Sequence, residues 1–307
     1  MNLHPRPSVS VVIPTFNRRQ MLSDAVASVL AQSYSDLEVI VVDDGSTDGT
    51  RDAICDQYGM DARLRVVTQP NRERAIARNR GIHESRGEWI AFLDSDDLWS
   101  PAKLERQVAK LAETGADCCY CLFNVLNSSL GTTADAVLPP HGDLFARLLH
   151  QCFIGSMTPL VRRSCFDAVG GFCEDRRLLC FEDWEMWTRL AGAFDWALVP
   201  EVLGSYRLHP GNTQHAADLE IDELRMDLML RYPLSSADRI AVREYSTARR
   251  WHWATQLDRK NPYRVIQILT RLAVHDPGRL LYRNFWGLLA RATSHSAFRL
   301  GRRVTAS

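Results

Sequence analysis

Residues 1–100 carry four nearly unbroken apolar runs: SVSVVIPTF (8–16), LEVIVVDDGS (37–46), LRVVTQ (64–69) and EWIAFLDSDD (88–97). The segments between them have helical character. RRQMLSDAVASVLAQSY (18–34) places apolar residues at 22, 25, 26, 29 and 30, TDGTRDAICDQYG (47–59) opens on Asx, Ser and Thr chemistry, and RERAIARNRGIHESRG (72–87) closes on Gly87. Strands that are apolar throughout, rather than alternately apolar and polar, are buried on both faces. Separated by helices, they predict a parallel α/β sheet with helices on both sides. Ligands of such sheets bind beyond the C-terminal strand ends. That rule brings two acidic strand ends, Asp43–Asp44 and Asp94–Asp97, to one rim.

The second of these ends is unusual. Three carboxylates, Asp94, Asp96 and Asp97, stand among four residues. Two carboxylates about 4 Å apart repel by roughly 4 kcal/mol at an effective dielectric near 20. A hard divalent cation, held by one or two carboxylates together with substrate phosphates, would offset that repulsion. So would a loop whose Asp side chains point apart into water and cap the next helix. The DDGSTDG segment also has the start of a calcium loop, with Asp44, Ser46 and Asp48 at alternate positions. Its twelfth position is Cys55, where a bidentate Glu is required, and that reading fails.

Farther along, a helix is expected from Ser100 to about Leu111 with Pro101 in its first turn, then a strand over 116–126, a loop over 127–145, and short strands with one helix, EDWEMWTRLAGA, over 152–210. Beyond His215 the chain turns helical and Arg-rich, broken at Pro233, Pro262 and Pro277, so a boundary is placed near 215. Lys plus Arg and Asp plus Glu are balanced at 37 each, which argues against a nucleic-acid partner held by overall charge. The first residues lack the apolar core of a signal peptide, and no apolar run reaches the 18 or so residues of a membrane span, which makes the cytoplasm the expected location. The eight cysteines are irregularly spaced. Cys118, Cys119 and Cys121 fall in an apolar strand without a paired CxxC or a spaced His, so buried thiols are expected rather than a disulfide framework or a zinc site.

The ordered set SVVIPTFNR (10–18), VVDDGSTDGT (41–50), ARNRGI (77–82), GEWIAFLDSDDLW (87–99), FEDWEMWTRL (181–190) and YRLHPGNT (206–213) resembles the inverting nucleotide-sugar glycosyltransferases of family 2. The resemblance covers about 1–215. It implies a GT-A fold: a Rossmann-like open mixed sheet with helices on both faces, here followed by a mostly α-helical C-terminal extension. It divides 1–215 into a nucleotide-sugar half (about 1–115) and an acceptor half (about 116–215), with 216–307 a helical region. It implies Mn²⁺ or Mg²⁺ as cofactor, with Asp96 and Asp94 as the D-x-D element on the metal and ribose and Asp97 near the donor sugar. Asp44 would accept the imide N–H of the base. Pro14 and Thr15 would line the base pocket. Arg78 and Asn79 would reach the nucleotide or, alternatively, sit on the helix surface. Asp183, with Glu182 as fallback, takes the place of the base that removes the acceptor proton. An acidic pair at a helix start also has a purely structural reading. Trp184 and Trp187 face either acceptor or core, and His209 joins the metal or diphosphate or is a surface loop residue.

The expected partners are a nucleotide-sugar donor, a UDP-sugar first, and a carbohydrate or lipid-linked acceptor of surface polysaccharide or glycolipid assembly. An inactive GT-A scaffold and a sugar nucleotidyltransferase remain as alternatives. The latter normally carries a Gly-rich turn after its first strand, where this chain has PTFNRRQM. The tail from Arg259 to Arg303 is basic: Arg259, Lys260, Arg264, Arg271, Arg279, Arg283, Arg291, Arg299, Arg302 and Arg303 against Asp276 alone. Leu280, Leu281, Tyr282, Phe285, Trp286, Leu288 and Leu289 interleave. Such a pattern suits either a helical lid with a solvated basic face or peripheral contact with an anionic membrane.

Overall fold

The computed structural model describes residues 8–127, 132–134, 142–212, 219–232, 234–257, 262–275 and 284–293. The chain divides into two compact units, Met1–His215 and Ala216–Ser307.

The first unit is built on a nine-stranded mixed sheet. Strands β1 (Val9–Thr15), β2 (Leu37–Asp43), β3 (Leu64–Thr68) and β4 (Trp89–Phe92) are parallel, in the spatial order β3-β2-β1-β4. Helices α1 (Arg19–Leu30), α2 (Thr50–Tyr58) and α3 (Arg74–Glu84) connect them. Beyond β4 the sheet becomes mixed. After β5 (Leu98–Trp99), α4 (Lys103–Thr114), β6 (Cys118–Asn127), β7 (Thr132–Ala134), α5 (Leu144–His150), β8 (Leu160–Arg162), α6 (Arg163–Val169), α7 (Glu182–Ala191) and β9 (Trp196–Leu208), the path runs β4-β8-β6-β9-β5, with β7 pairing β6. β8 is antiparallel to β4 and β6, whereas β9 runs parallel to β6.

Alternation divides each central strand between two cores. Val9, Val11 and Ile13 of β1 pack with Leu22, Val26 and Val29 of α1 and Leu104 of α4. Val12, Ile40 and Phe92 pack on the opposite face with Ala77 of α3, Phe166 of α6 and Met186 and Trp187 of α7. Each such side chain, removed from water, contributes about 1.5–3 kcal/mol. Gly81 lets α3 come close: a Cβ there would lie 2.1 Å from Cγ1 of Val12.

Three stretches depart from the sequence reading. The segment 127–145, expected as loop, contributes β7 and the start of α5. Residues 163–169 form a helix that had no separate signal. The expected short strands near 200 are one 13-residue strand, β9. Pro200 sits at an irregularity where the β6–β9 register jumps from Cys121↔Val199 to Leu122↔Val202, so its missing N–H costs the ladder nothing.

The second unit contains α8 (Leu219–Met229), α9 (Ser236–Leu257), α10 (Pro262–His275) and a further helix over 284–293. Val265, Ile268, Leu269, Leu272, Phe285 and Leu288 form its core. Asp222 accepts hydrogen bonds from Arg249 and from Trp253 Nε1, while Glu223 pairs with Arg250 and Arg271. Arg271, a basic side chain of the tail, is therefore committed within the unit. Arg259, Lys260, Arg279, Arg283, Arg299, Arg302, Arg303 and the Leu280–Tyr282 stretch lie outside the described residues. Among the described residues no helix is long and apolar enough to cross a membrane.

Candidate active site

The β1–β2 register pairs Thr15 with Asp43, and β1 pairs Val12 with Phe92 of β4, so both acidic ends leave the sheet at one rim. Two pockets lie there. The first, a cleft of about 340 Å³, is lined by Pro14, Thr15, Phe16, Arg18, Asp44, Arg74, Asp94 and Asp96 among others. The second, about 300 Å³, includes Arg78, Asp97, Phe123, Ser156, Glu182 and Asp183 in its wall. Arg74, Asp94 and Tyr206 belong to both. Strained backbone flanks each: Glu73 (φ 78°) lines the cleft and Cys180 (φ 72°) the second pocket, and non-glycine residues in such conformations cluster at functional sites.

Asp44 is buried at the cleft edge. Its carboxylate accepts from Gln69 Nε2 (2.7 Å), from the backbone N–H of Arg72 (2.9 and 3.1 Å) and from that of Glu73 (2.9 Å). It thereby ties β2 to the loop that starts α3. Gly45 follows at φ +83°, and a Cβ there would lie 2.9 Å from the Asn71 backbone nitrogen, so the turn requires glycine twice over. Asp43 accepts from Ser46 N and closes the turn. Thr15 has a buried Oγ1 that meets no partner among the described residues.

Each carboxylate of the acidic turn has a different environment. Asp94 receives Arg78 Nη2 (2.6 Å) on one oxygen and Ser156 Oγ (2.5 Å) on the other. Burial alone would raise its pKa, but the Arg78 charge and the Ser156 bond hold it below the usual value. Asp97 is buried, accepts the backbone N–H of Arg207 (3.0 Å), and is pushed well up by burial and by the charges of Asp94 and Asp96. Asp96 meets His209 Nε2 at 3.0 Å and Arg18 Nη2 at 3.8 Å. Arg207 pins the turn from behind, bonding the Asp96 carbonyl, Asp24 (2.7 Å) and the Met21 carbonyl (3.0 Å).

The His209 ring is oriented. Its Nδ1 accepts the backbone N–H of Gly211 (3.0 Å), which leaves the Nε2–H to donate to Asp96. Among the described residues no group of three or more His, Cys, Asp and Glu side chains converges as a ready-made metal cage. The donor set still suits a hard cation of the kind that takes one or two carboxylates and completes its shell with phosphate oxygens and water. Both Asp94 oxygens are already bonded, to Arg78 and Ser156, whereas Asp96 meets His209 and Arg18 through Oδ2.

Glu182 and Asp183 open α7, where acids are favoured by the helix dipole. Their environments diverge. Glu182 is 3% exposed, and its Oε1 accepts from Arg78 Nη1 (2.7 Å). Asp183 is half-buried, and burial together with the neighbouring Glu182 charge pushes it up to about 7. One neighbour is thus held in an ion pair with Arg78 while the other is raised toward neutral pH. The rest of the ED-x-x-x-W-x-R segment is structural: Trp187 is fully buried, and Arg189 pairs with Glu185 and binds the carbonyls of Val169 and Gly171. Trp184 donates to the Leu148 carbonyl.

Ten of the eleven residues singled out from the sequence gather here: nine in the pocket walls and His209 through Asp96. Asn79 is turned elsewhere. Its amide clasps the 172–174 segment, donating to the Phe172 carbonyl and to Glu174 and accepting from Phe172 N. Arg78 lines the second pocket rather than the cleft, and is only 2% exposed. Phe16, 45% exposed on the cleft wall, together with Tyr206, Arg74 and Ser156, was not singled out from the sequence. Phe16 had a signal, being the one aromatic in the turn after β1. Ser156 had none.

Known proteins resemble this chain in sequence and in fold. The profile of glycosyl transferase family 2 matches residues 10–166. TuaG of Bacillus subtilis (strain 168), named for teichuronic acid biosynthesis, is 38% identical over 164 residues, covering 52% of this chain and 63% of TuaG. Escherichia coli WfgD, named UDP-Glc:alpha-D-GlcNAc-diphosphoundecaprenol beta-1,3-glucosyltransferase, is 31% identical over 157 residues, covering 51% of this chain and 60% of WfgD. The chain thus spans less than two thirds of the length of either relative. Among solved structures, S. aureus TarS 1-349 in complex with UDP-GlcNAc superposes with a TM-score of 0.71 at 20% identity, over 96% of this chain and 92% of that one, a likeness of fold. The Pyrobaculum calidifontis mannosyltransferase PcManGT, in complex with GDP-Man and Mn²⁺, gives a TM-score of 0.57 at 18% identity, over 97% of this chain and 88% of that one. With more than half of its residues inside the matched profile, this chain belongs to glycosyl transferase family 2.

Proposed function

We propose that the chain transfers a sugar, with inversion, from a nucleoside diphosphate sugar to an acceptor hydroxyl in the assembly of a surface polysaccharide or glycolipid. The observation that carries this reading is the meeting of the two pockets at Asp94, with Asp183 in the second. The first cleft takes the donor and the second the acceptor, so residues 1–115 serve mainly the nucleotide sugar and 116–215 mainly the acceptor, with 216–307 as the helical extension. A UDP-sugar is the donor favoured by the ligand of TarS and the name of WfgD. A carbohydrate or lipid-linked acceptor is favoured by that same name.

In this reading Asp183 takes the proton from the acceptor hydroxyl as the oxygen attacks the anomeric carbon. A group near pH 7 can accept a proton at neutral pH without holding it. Glu182, bound by Arg78, raises the basicity of Asp183. Arg18 and Arg74 put positive charge on the donor cleft. Phe16 offers an exposed ring to the face of the base, and Pro14, Thr15 and Asp44 border it. Mn²⁺ or Mg²⁺ would be held by Asp96 with Asp94 behind it, and would stabilise the charge that builds on the departing diphosphate. Asp97 supports the donor-sugar side of the turn from its buried position.

The reaction is assigned to the cytoplasmic side, with peripheral membrane contact through the basic C-terminal region where the acceptor is lipid-linked. A truncation near residue 255 that floats with anionic liposomes as well as the full chain would end that part of the reading.

The first test is a thermal-shift panel of UDP, GDP, CDP and dTDP, each with and without Mn²⁺. Ligand at a hundred times its dissociation constant stabilises a fold by about 2.7 kcal/mol. A shift with one nucleotide, dependent on Mn²⁺ and lost in Asp96→Ala, is the expected result. No shift with any nucleotide favours an inactive GT-A scaffold. A sugar nucleotidyltransferase would respond to UTP with a sugar phosphate, and the glycine-free turn after β1 speaks against it.

A further inference from the structure

A buried cation, Arg78, ties the acidic turn of the donor cleft to the acceptor pocket. Arg78, on α3, donates Nη2 to Asp94 (2.6 Å) and Nη1 to Glu182 (2.7 Å), partners 16 and 104 residues away in sequence. Its guanidinium carbon also lies 5.4 Å from the centroid of the Phe172 ring. At 2% exposure it offers no surface for a nucleotide, and its Nε meets no partner among the described residues. A fork with donors in one plane holds two carboxylates at a fixed separation in a way a lysine does not. Asp94 is clamped from the other side by Ser156, and Arg74 Nε stands 4.0 Å from the same Glu182 oxygen.

We propose that Arg78 is a positioning residue that sets Asp183 against the donor: by gripping Asp94 and Glu182 together it fixes the start of α7 relative to the acidic turn. The inference rests on Asp183 being the base. Two consequences follow from the geometry. Glu182 is the less suited base, because its Oε1 is committed to Arg78 and the residue is nearly closed to solvent, which leaves only a buried Oε2 that meets no partner among the described residues. Any ligand that engages Asp94 pulls on the same guanidinium that holds Glu182, so occupation of the cleft is felt at the first turn of α7. An ordinary buried ion pair would lend specificity to the fold alone. This one ties together two walls that bear different substrates.

A double-mutant cycle separates these readings. Wild type, Arg78→Met, Asp183→Asn and the double variant are compared for release of UDP from UDP-glucose and UDP-N-acetylglucosamine with Mn²⁺, and for the thermal shift produced by UDP with Mn²⁺. The expected result is a fall in kcat of about 100-fold or more for Arg78→Met with UDP affinity within about threefold of wild type, and no further loss when Arg78→Met is added to Asp183→Asn. Because Arg78→Met leaves the buried Glu182 with only Arg74, at 4.0 Å, among the described residues and can fail to fold, Arg78→Met/Glu182→Gln is made in parallel. It removes both charges, so it is expected to melt near wild type and still to have lost turnover. Additive losses, or wild-type kcat in the folded Arg78→Met/Glu182→Gln variant, overturn the positioning role while leaving Asp183 in place. Full turnover in Asp183→Asn instead removes the base assignment, and the inference with it.

Discussion

His209 Nε2 lies 3.0 Å from Asp96 Oδ2, and the same ring accepts the Gly211 N–H at Nδ1. The backbone bond decides the tautomer. A ring that accepts at Nδ1 carries its proton at Nε2 and acts on Asp96 as a hydrogen-bond donor. To ligate a metal through Nε2, the ring would have to move its proton to Nδ1 and release Gly211, which also binds Arg18 through its carbonyl. His209→Gln keeps an N–H donor at a similar reach. It is expected to hold Mn²⁺-dependent UDP binding within about threefold of wild type, read by thermal shift. Loss of a direct ligand costs far more than that, and even groups that only support a ligand are typically worth 10–100-fold in metal affinity. A loss of that size in His209→Gln would return the residue to the metal.

Asp183 makes two opposed predictions. As a base it works only when ionised, so kcat should rise tenfold per pH unit up to about pH 7 and level above it. For stability, the folded pKa of about 7 stands above the ordinary 3.8. The folded state therefore binds this proton more tightly than the unfolded state. Between those two values the unfolded chain has lost the proton and the folded one keeps it, so stability drains away as pH rises, to a total on the order of a few kcal/mol. Asp183→Asn should cut turnover to a small measurable residue and raise the melting temperature above pH 7, with little gain near pH 4. Melting curves across pH on both proteins check the sign.

The parts of the site that could be read from the chain are those built from neighbours in sequence. Asp94, Asp96 and Asp97 are adjacent, the apolar runs before Asp43 and Asp94 announce buried parallel strands, and parallel strands bring their ends to one rim. The distance-dependent parts were hidden. Arg78 sits one helical position before Asn79 and carries no mark that distinguishes it from a surface arginine, and its bond to Glu182 exists only because α3 and α7 pack on the same face of the sheet. The opposite outcome for Asn79, fastened to Phe172 and Glu174, has the same cause. β9 was obscured by Pro200 and Glu201, which read as a break in sequence and are accommodated by an irregular register with β6.

Gly81 predicts a steric cost that is local and reversible by design. A Cβ at this position would lie 2.1 and 2.9 Å from the two Cγ atoms of Val12, far inside contact distance. Gly81→Ala must displace α3 from β1. Overpacking of this kind typically costs about 1–3 kcal/mol. Helix propensity alone would favour alanine by about 1 kcal/mol, so the sign of the measured change shows which effect wins. Adding Val12→Ala should recover part of the loss, because the new methyl then fills space the valine vacates. Chemical denaturation of the two single variants and the pair gives the coupling directly.

Lys103 is a buried amine with a pH signature of its own. Its Nζ donates to Gln107 Oε1 (2.7 Å) and lies 3.9 Å from the centroid of the Trp99 ring, and the residue is fully buried. Burial pulls its pKa from 10.5 down to about 8, partly opposed by the nearby Cys121 and Cys119. Here the folded state binds the proton less tightly than the unfolded state. Below pH 8 both forms are protonated and the penalty is complete, at most about 3 kcal/mol. As pH climbs from 8 to 10.5 the folded amine is neutral while the unfolded one is still charged, and the penalty is withdrawn. Lys103→Met removes the titration. It also leaves Gln107 Oε1 without its donor, at a cost of about 1–3 kcal/mol that does not depend on pH. The quantity to measure is therefore the difference in unfolding free energy between Lys103→Met and wild type at pH 7 and again at pH 10. It should shift by more than about 1 kcal/mol in favour of wild type at the higher pH, and an unchanged difference would mean that the lysine stays charged in the core, held by the Trp99 face and the Gln107 carbonyl.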